Sequence, residues 1–529
     1  MNYSSPSLYQ IRLRAPHTAS DGQWSATLQA LSENRRACDE VWFSTGVSFP
    51  PMEWHREHTA RLARYAADLR SAGIEPSLQF QATLGHGDAF AGTPEEMAGR
   101  NWRGFTGPSG IECVACNCPR QPSFLAYVRE MARLYAAAIQ PAWLWIDDDL
   151  RVNNHRPAVS GSEIGCWCET CRAAFEAETG SVGGRAPRPL PADWERFSFS
   201  SIAEVAATIA SEAHAVSPET RFGYQHGSWP NDSQLAVFQA LREAGGGQNV
   251  GSRPGSGAYY DLDPNGPVKK ALAAARQRRM LGDPPWIDTW LPEIETYPRA
   301  FASRTARGIL LEAVASLAYG MNGLSALVMD TRAETDAWYS ENILSPLAAA
   351  REFLACYRDA NLGTVPAGLD VPSDLPLDGV YAYALAGVPV VPGPGRTLGA
   401  MTPEDAALKI CSCSSRDLMR LRADADARAG GRLPVIAEEP CVGLVVPRVA
   451  HDGSLRTIML LNARIDTQRP LPLRLRISTG GATPCSLHAI WHAIGEPPAM
   501  LPLRRDGADL LVTIPELQPW SAGWLELQG

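Results

Sequence analysis

Several absences narrow what this chain can be before any motif is read. Only 20% of its 529 residues are charged, the net charge is −9, and the 48 Lys and Arg residues are scattered along the chain. No basic patch marks a nucleic-acid or anionic-membrane partner, and a neutral substrate fits best. No stretch reaches the roughly 18 apolar residues of a membrane span, and the opening "MNYSSPSLYQIRLR" lacks the basic-then-apolar order of a secretory leader. A cytoplasmic location is the expectation. No G-x-G-x-x-G loop follows the first β-rich run, which counts against a dinucleotide fold, and there is neither an internal repeat nor a low-complexity tract.

With 45% apolar residues the composition is that of an ordinary globular protein, long enough for one large domain and one or two smaller ones. Short β-rich runs are expected at 8–14, 40–45, 75–80, 142–147, 221–226, 249–254, 286–295 and 324–330. Between them lie segments with apolar residues at three and four spacing, such as "REHTARLARYAADLRSAG" and "PSFLAYVREMARLYAAAI". Eight such units predict an α/β fold, a (β/α)8 TIM barrel over 1–362 with its chemistry at the C-terminal strand ends. "GTVPAGLDVPSDLPLDG" then reads as a linker into a small α/β domain at 363–440, with a capped helix near Thr402. From 441 to 529, short alternating runs separated by "HDGS" and "RDGAD" predict a C-terminal β-sandwich.

Two clusters carry chemistry. The first is Cys166-Trp-Cys168-Glu-Thr-Cys171, three thiols in a C-x-C-x2-C spacing that core packing does not require. A fourth ligand would close a tetrahedral site, and "CVACNC" offers Cys113, Cys116 and Cys118, of which Cys118 is the choice. Four thiolates leave no open position for water, so the ion would be a structural zinc. The alternatives are buried reduced cysteines without metal and a catalytic zinc. The second of these lacks a histidine in the cluster and the H-x-E…P-C-x-x-C order of nucleobase deaminases.

The second cluster is acidic. Asp147, Asp148 and Asp149 follow the apolar "WLWI" at the mouth of strand four, and Glu293 and Glu295 end strand seven on one face by its period of two. Carboxylates on opposing strand ends are what glycoside hydrolysis uses: one protonates the leaving oxygen while the other attacks the anomeric carbon or activates water. The alternatives are capping of their own loop amides for the aspartates and a rim salt bridge for one glutamate, Glu293 in particular. Trp290 is a candidate stacking platform for a sugar face. Arg12 and Arg14 lie on the inward face of strand one, where pairing with the aspartates or contact with substrate would offset their burial.

The strand-four acids, the C-x-C-x2-C cluster followed by "RAAFEAETG", and the upstream "CNCPRQPSF" resemble glycoside hydrolase family 42, the β-galactosidases of clan A. The resemblance implies a (β/α)8 barrel, a flavodoxin-like trimerisation domain and a small C-terminal β-domain, hence a homo-oligomer, dimer or trimer. The family motif Asp-Asn-Glu reads Asp147-Asp148-Asp149 here, which implies Asp149 as general acid/base and Asp148 as the contact to the sugar 2-hydroxyl. Its Glu-x-x-Pro stretch matches "ETYP" and selects Glu295 as nucleophile over Glu293; its zinc ligands fall on Cys118, Cys166, Cys168 and Cys171. This chain departs from the family in having aspartate for both the asparagine and the glutamate, and in a much shorter middle domain. The expected function is a retaining exo-β-glycosidase, β-galactosidase-like, acting on an oligosaccharide or glycoside. A catalytically idle sugar-binding barrel, a glycosidase of other specificity and mechanism, and a metal-dependent hydrolase remain as alternatives.

Overall fold

The computed structural model describes residues 7–81, 83–85, 93, 95–152, 164–180, 192–227, 231–255, 257, 259–261, 263, 265–296, 303–329, 337–407, 413–438, 443–463, 471–478 and 488–527. The first eleven strands are β1 (Tyr9–Arg12), β2 (Glu40–Ser44), β3 (Glu75–Phe80), β4 (Gly104–Thr106), β5 (Glu112–Asn117), β6 (Trp143–Ile146), β7 (Arg221–His226), β8 (Val250–Pro254), β9 (Ile287–Trp290), β10 (Glu293–Glu295) and β11 (Leu324–Leu327). All except the antiparallel β4–β5 hairpin belong to one parallel sheet that returns on itself, so the chain forms a (β/α)8 TIM barrel.

The seventh strand position, expected as one run over 286–295, is two pieces. Among the described residues β9 pairs with β8 alone, and β10 with β11 alone. The break falls at Leu291–Pro292: the Leu291 amide still donates to the Ser252 carbonyl of β8 at 2.9 Å, while the Pro292 carbonyl accepts the Ser325 amide of β11 at 3.3 Å, and proline, with no N–H for a ladder, belongs at the start of a strand piece.

The barrel interior has two layers. At the lower level Trp42 stacks on Trp145 with ring centroids 4.6 Å apart, and Trp143 lies 5.1 Å from Trp145 on its other side. Gly223 and Gly251 face these rings, and a Cβ at either would overlap the Trp145 indole. Two residues without side chains thus make room for three large ones. Above this floor the inward positions turn polar: Arg12, Gln79, Asp147, Gln225, Arg253 and Glu293 are all buried.

Amphipathic helices cover the outside. Pro122–Ile139 buries Phe124, Val128, Met131, Tyr135 and Ile139 at helical spacing, opens with proline in its first turn, and stops at Gln140 in the left-handed region (φ 50°). Helix Ala306–Ala318 is buried on nearly every face, because the C-terminal region packs on its outer side and it thus lies between two layers.

The remaining strands are β12 (Thr364–Asp370), β13 (Val390–Val391), β14 (Arg396–Ala400), β15 (Val435–Ala437), β16 (Gly443–Ala450), β17 (Leu455–Asn462), β18 (Leu471–Ser478), β19 (His488–Ala493), β20 (Ala499–Pro502), β21 (Arg504–Asp506), β22 (Asp509–Leu517) and β23 (Ser521–Leu527). The capped helix begins after Thr402, whose side chain accepts the Asp405 amide while Asp405 accepts the Thr402 amide. The C-terminal strands form two facing sheets over a core that includes Val445, Ile458, Ile477, Trp491, Val512 and Leu525. Two pairings cross the boundary drawn at 440. β12 joins β16 antiparallel and β15 joins β18, so the middle segment shares its hydrogen bonding with the β-sandwich.

Candidate functional site

The mouth of the barrel collects acids from strands four and seven around buried cations. Glu295, at the end of β10, lies between Arg12 Nη1 at 3.3 Å and Arg14 Nη2 at 3.5 Å. Both arginines expected to reach the aspartates therefore grip the glutamate of strand seven instead. The reason is distance along the ring: β1 is separated from β10 by β11 alone but from β6 by two strands. Arg12 also donates from Nε to Gln79 Oε1 at 3.4 Å.

Glu293, one period earlier on the same face, pairs with Arg253 Nη1 and accepts the Tyr259 hydroxyl at 2.8 Å. Burial raises its pKa, with Arg253 opposing and Glu295 adding to the rise. Arg253 is the hub. It donates from Nε to Gln225 Oε1 at 2.9 Å and lies 3.7 Å from Asp147 Oδ1. Burial alone would lower its pKa, but Glu293, Asp148, Asp147 and Glu295 together hold it above the usual value. One guanidinium thus experiences four carboxylates drawn from both strand ends. His226 beside it is pushed down to about 4 by burial and is neutral near pH 7.

The three aspartates do not act alike. The chain leaves β6 at Ile146 and turns at once, with the Leu150 amide donating to the Asp147 carbonyl at 3.3 Å and the Arg151 amide to the Asp149 carbonyl at 3.0 Å. Asp147 points down to the polar layer, where it accepts from Gln81 Nε2 at 3.4 Å. Asp148 is partly exposed, and its charge is felt by Arg253, Tyr224 and His226.

Asp149, the residue expected to be the acid/base, is fully buried and turned into the loop after β3. Its Oδ2 accepts the amides of Thr83 and Gly85, each at 2.8 Å, and its Oδ1 accepts the Thr83 hydroxyl. Gly85 has φ 93°, and a Cβ there would run into the Ala115 carbonyl, so the amide it presents to Asp149 depends on glycine. This is a loop-holding carboxylate, and its physical cause is the turn: past the strand end, side chains no longer alternate between two faces.

Trp290 is also corrected. It is 2% exposed, donates from Nε1 to the Ile287 carbonyl at 2.9 Å, and lies under the Arg278 guanidinium of helix Gly266–Met280, 5.0 Å from the ring centroid. It faces the outer helix layer and no sugar can stack on it. The alternation that groups Glu293 with Glu295 also excludes Trp290, since Leu291 packs with the interior tryptophans and its neighbour must point out.

Sequence reasoning missed Arg253. Its place follows from the structure: in "VGSRP" Gly251 faces the interior rings, so Arg253 two positions on faces inward at the mouth.

The cysteines form a second centre. The β4–β5 hairpin brings Cys118 to Cys166, Cys168 and Cys171, with all four Sγ atoms within 4.8 Å of one another and all four residues buried. The closest pairs are Cys118 with Cys171 at 3.3 Å and with Cys168 at 3.5 Å. A tetrahedral zinc with Zn–S near 2.3 Å requires S···S separations of roughly 3.8 Å, so this donor set fits that ion. Cys113 and Cys116 are buried in the hairpin outside the four, and Cys116 Sγ approaches the Gly85 carbonyl at 4.0 Å. The Trp167 amide donates to the Thr106 carbonyl at 2.7 Å, pinning the loop after β6 to the hairpin.

No family model matches the sequence, and no curated protein matches it. Solved structures do match in fold. The α-L-fucosidase isoenzyme 2 from Paenibacillus thiaminolyticus aligns with a TM-score of 0.62 at 10% identity, covering 99% of this chain and 100% of that one. The cold-adapted β-galactosidase from Rahnella sp. R3 aligns at 0.57 and 10% identity, covering 97% and 99%. Gan42B, a GH42 β-galactosidase from G. stearothermophilus, aligns at 0.56 and 9% identity, covering 96% and 98%. At these identities what is shared is the fold, over essentially the whole length of both chains.

Proposed function

We propose that this chain is a glycoside hydrolase whose barrel mouth cleaves a neutral sugar with two carboxylates, Glu295 and Asp148. The observation that carries this reading is Arg253, whose guanidinium pairs with Glu293 of strand seven and lies 3.7 Å from Asp147 of strand four, bringing the two strand ends to one point. Glu295 pairs with Arg12 and Arg14, and Glu293 and Asp147 lie against Arg253, so three guanidinium groups are shared among the acids of the two strand ends. Glu295, held between the guanidinium groups of Arg12 and Arg14, serves as nucleophile. Asp148, partly exposed at the rim, protonates the leaving oxygen and then takes a proton from the incoming water. Glu293 and Asp147 sit behind them, holding Arg253. The solved structures sharing this fold include β-galactosidases and an α-L-fucosidase, so the substrate class proposed is a galactoside or a related hexoside, cleaved from a chain end with retention.

The test is a panel of nitrophenyl glycosides that includes β-galactoside and α-L-fucoside. Glu295→Ala should lower turnover by roughly 10³-fold or more, with azide restoring part of it as an inverted glycosyl azide. Undiminished turnover in this variant would remove Glu295 from the reaction. A second reading, a sugar-binding barrel without turnover, is favoured by the tethering of Asp149. It would appear as melting temperatures that rise with sugars while the wild-type chain releases no nitrophenol.

We also propose that Cys118, Cys166, Cys168 and Cys171 hold a structural zinc. A cation supplies what four crowded thiols lack, a partner that lets them deprotonate together, and it would lock the loop after β6 to the hairpin. Strong chelation should then release about one zinc per chain and lower the melting temperature and activity together. Activity lost at an unchanged melting temperature would point to a catalytic ion instead.

A further inference from the structure

Strand seven delivers both Glu293 and Glu295 from a three-residue piece, and among the described residues that piece has a sheet partner on one side, β11. Toward β11 its ladder is regular: the Ser325 amide donates to the Pro292 carbonyl at 3.3 Å and the Thr296 amide to the Leu327 carbonyl at 3.1 Å. By strand alternation the carbonyls of Glu293 and Glu295 then point the other way, toward β8, where among the described residues no strand pairs with them. Buried carbonyls left alone would cost free energy and leave the segment poorly held.

Two cations fill the place of the missing strand. Lys270 Nζ, on helix Gly266–Met280, donates to the Glu293 carbonyl, and Arg304 Nη1 donates to the Glu295 carbonyl at 3.3 Å. Both are anchored by one carboxylate, Glu312 on helix Ala306–Ala318, with Lys270 at 2.9 Å and Arg304 Nη2 at 2.7 Å. Glu312 is fully buried, Lys270 and Arg304 nearly so, and Asp261 lies 3.4 Å from Arg304 Nε. A buried charge group of this kind is no efficient way to gain stability, since apolar side chains of like volume would serve as well or better. Its geometry instead addresses two particular backbone atoms, each belonging to a mouth carboxylate.

We infer that Glu312 is a positioning residue for the proposed hydrolysis. Through Lys270 and Arg304 it sets the place of the Glu293–Glu295 backbone, and so the approach of Glu295 to the anomeric carbon. This inference rests on the glycosidase reading for its consequence, though not for its geometry. Misplacing a reacting group by about 1 Å costs on the order of 10²-fold in rate.

The test compares the wild-type chain with Glu312→Gln, Lys270→Met and the double variant, using kinetics and crystal structures. In Glu312→Gln, kcat should fall about 30- to 100-fold with KM within about threefold, and the Glu293–Glu295 backbone should move by about 0.5 Å or more while the rest of the barrel stays in place. Lys270→Met should show the same defect, and the double variant should lose little more, because both changes release the same segment. If Glu312→Gln does not fold, Arg304→Gln, which leaves the Lys270–Glu312 pair intact, is read in the same way. A segment that stays put, or a kcat per folded molecule that is unchanged while the melting temperature falls, overturns the positioning role. A wild-type chain that hydrolyses no glycoside defeats the functional reading instead, and the backbone displacement still decides the role of Glu312.

Discussion

The two acidic rims of the barrel, at strand four and at strand seven, look alike in sequence and behave differently in space. Glu293 and Glu295 lie within a strand, so the period of two places both in the mouth, one against Arg253 and the other between Arg12 and Arg14. Asp147, Asp148 and Asp149 lie just past a strand, in a turn, and their carboxylates go in three directions: down to Gln81, out to the rim, and across to the loop after β3. Identical side chains in succession thus meet different neighbours because of the turn they lie in. Residue type supplies the acid; the turn decides what it faces.

The largest difference expected between the rims lies in rate. Asp148→Asn should lower kcat by about 10²- to 10³-fold for glycosides with poor leaving groups and much less for activated aryl glycosides, which need little protonation. The comparison breaks if Asp148→Asn is active on both and Asp149→Asn is not. A smaller effect, on stability, is expected at Asp149. Replacing it with alanine leaves two buried amides and a hydroxyl without their acceptor, at a cost of about 3 kcal/mol in denaturant unfolding. The activity remaining per folded molecule should stay near that of the wild-type chain. A catalytic loss like that of Asp148, with unfolding unchanged, would return the proton donor to Asp149.

How far the sequence could be read followed the same division. Wherever a run stayed within regular structure, alternation and helical spacing located it: β3 and β7 fall at the expected 75–80 and 221–226, and helix Pro122–Ile139 at the expected apolar pattern. The grouping of Glu293 with Glu295 belongs to this class. Asp149 does not, because its partners, the amides of Thr83 and Gly85, come from a loop some sixty residues earlier whose path no local pattern reveals. Trp290 was legible in principle, being one residue out of phase with the inward face. The break at Pro292 was signalled by the proline itself, but its consequence, a segment completed by Lys270 and Arg304, depends on packing between two helices. The joining of β12 to β16 is likewise a long-range pairing, and the linker-like composition around it hides the shared sheet.

The most direct measurement is to trap the covalent intermediate with a 2-deoxy-2-fluoro glycoside of whichever sugar the panel selects, digest the chain and locate the label. The expected result is a single adduct on Glu295, absent from Glu295→Ala and, with an activated leaving group, still formed in Asp148→Asn. An adduct on Glu293, on one of the strand-four aspartates, or on no residue of a chain that turns over the parent glycoside would contradict it.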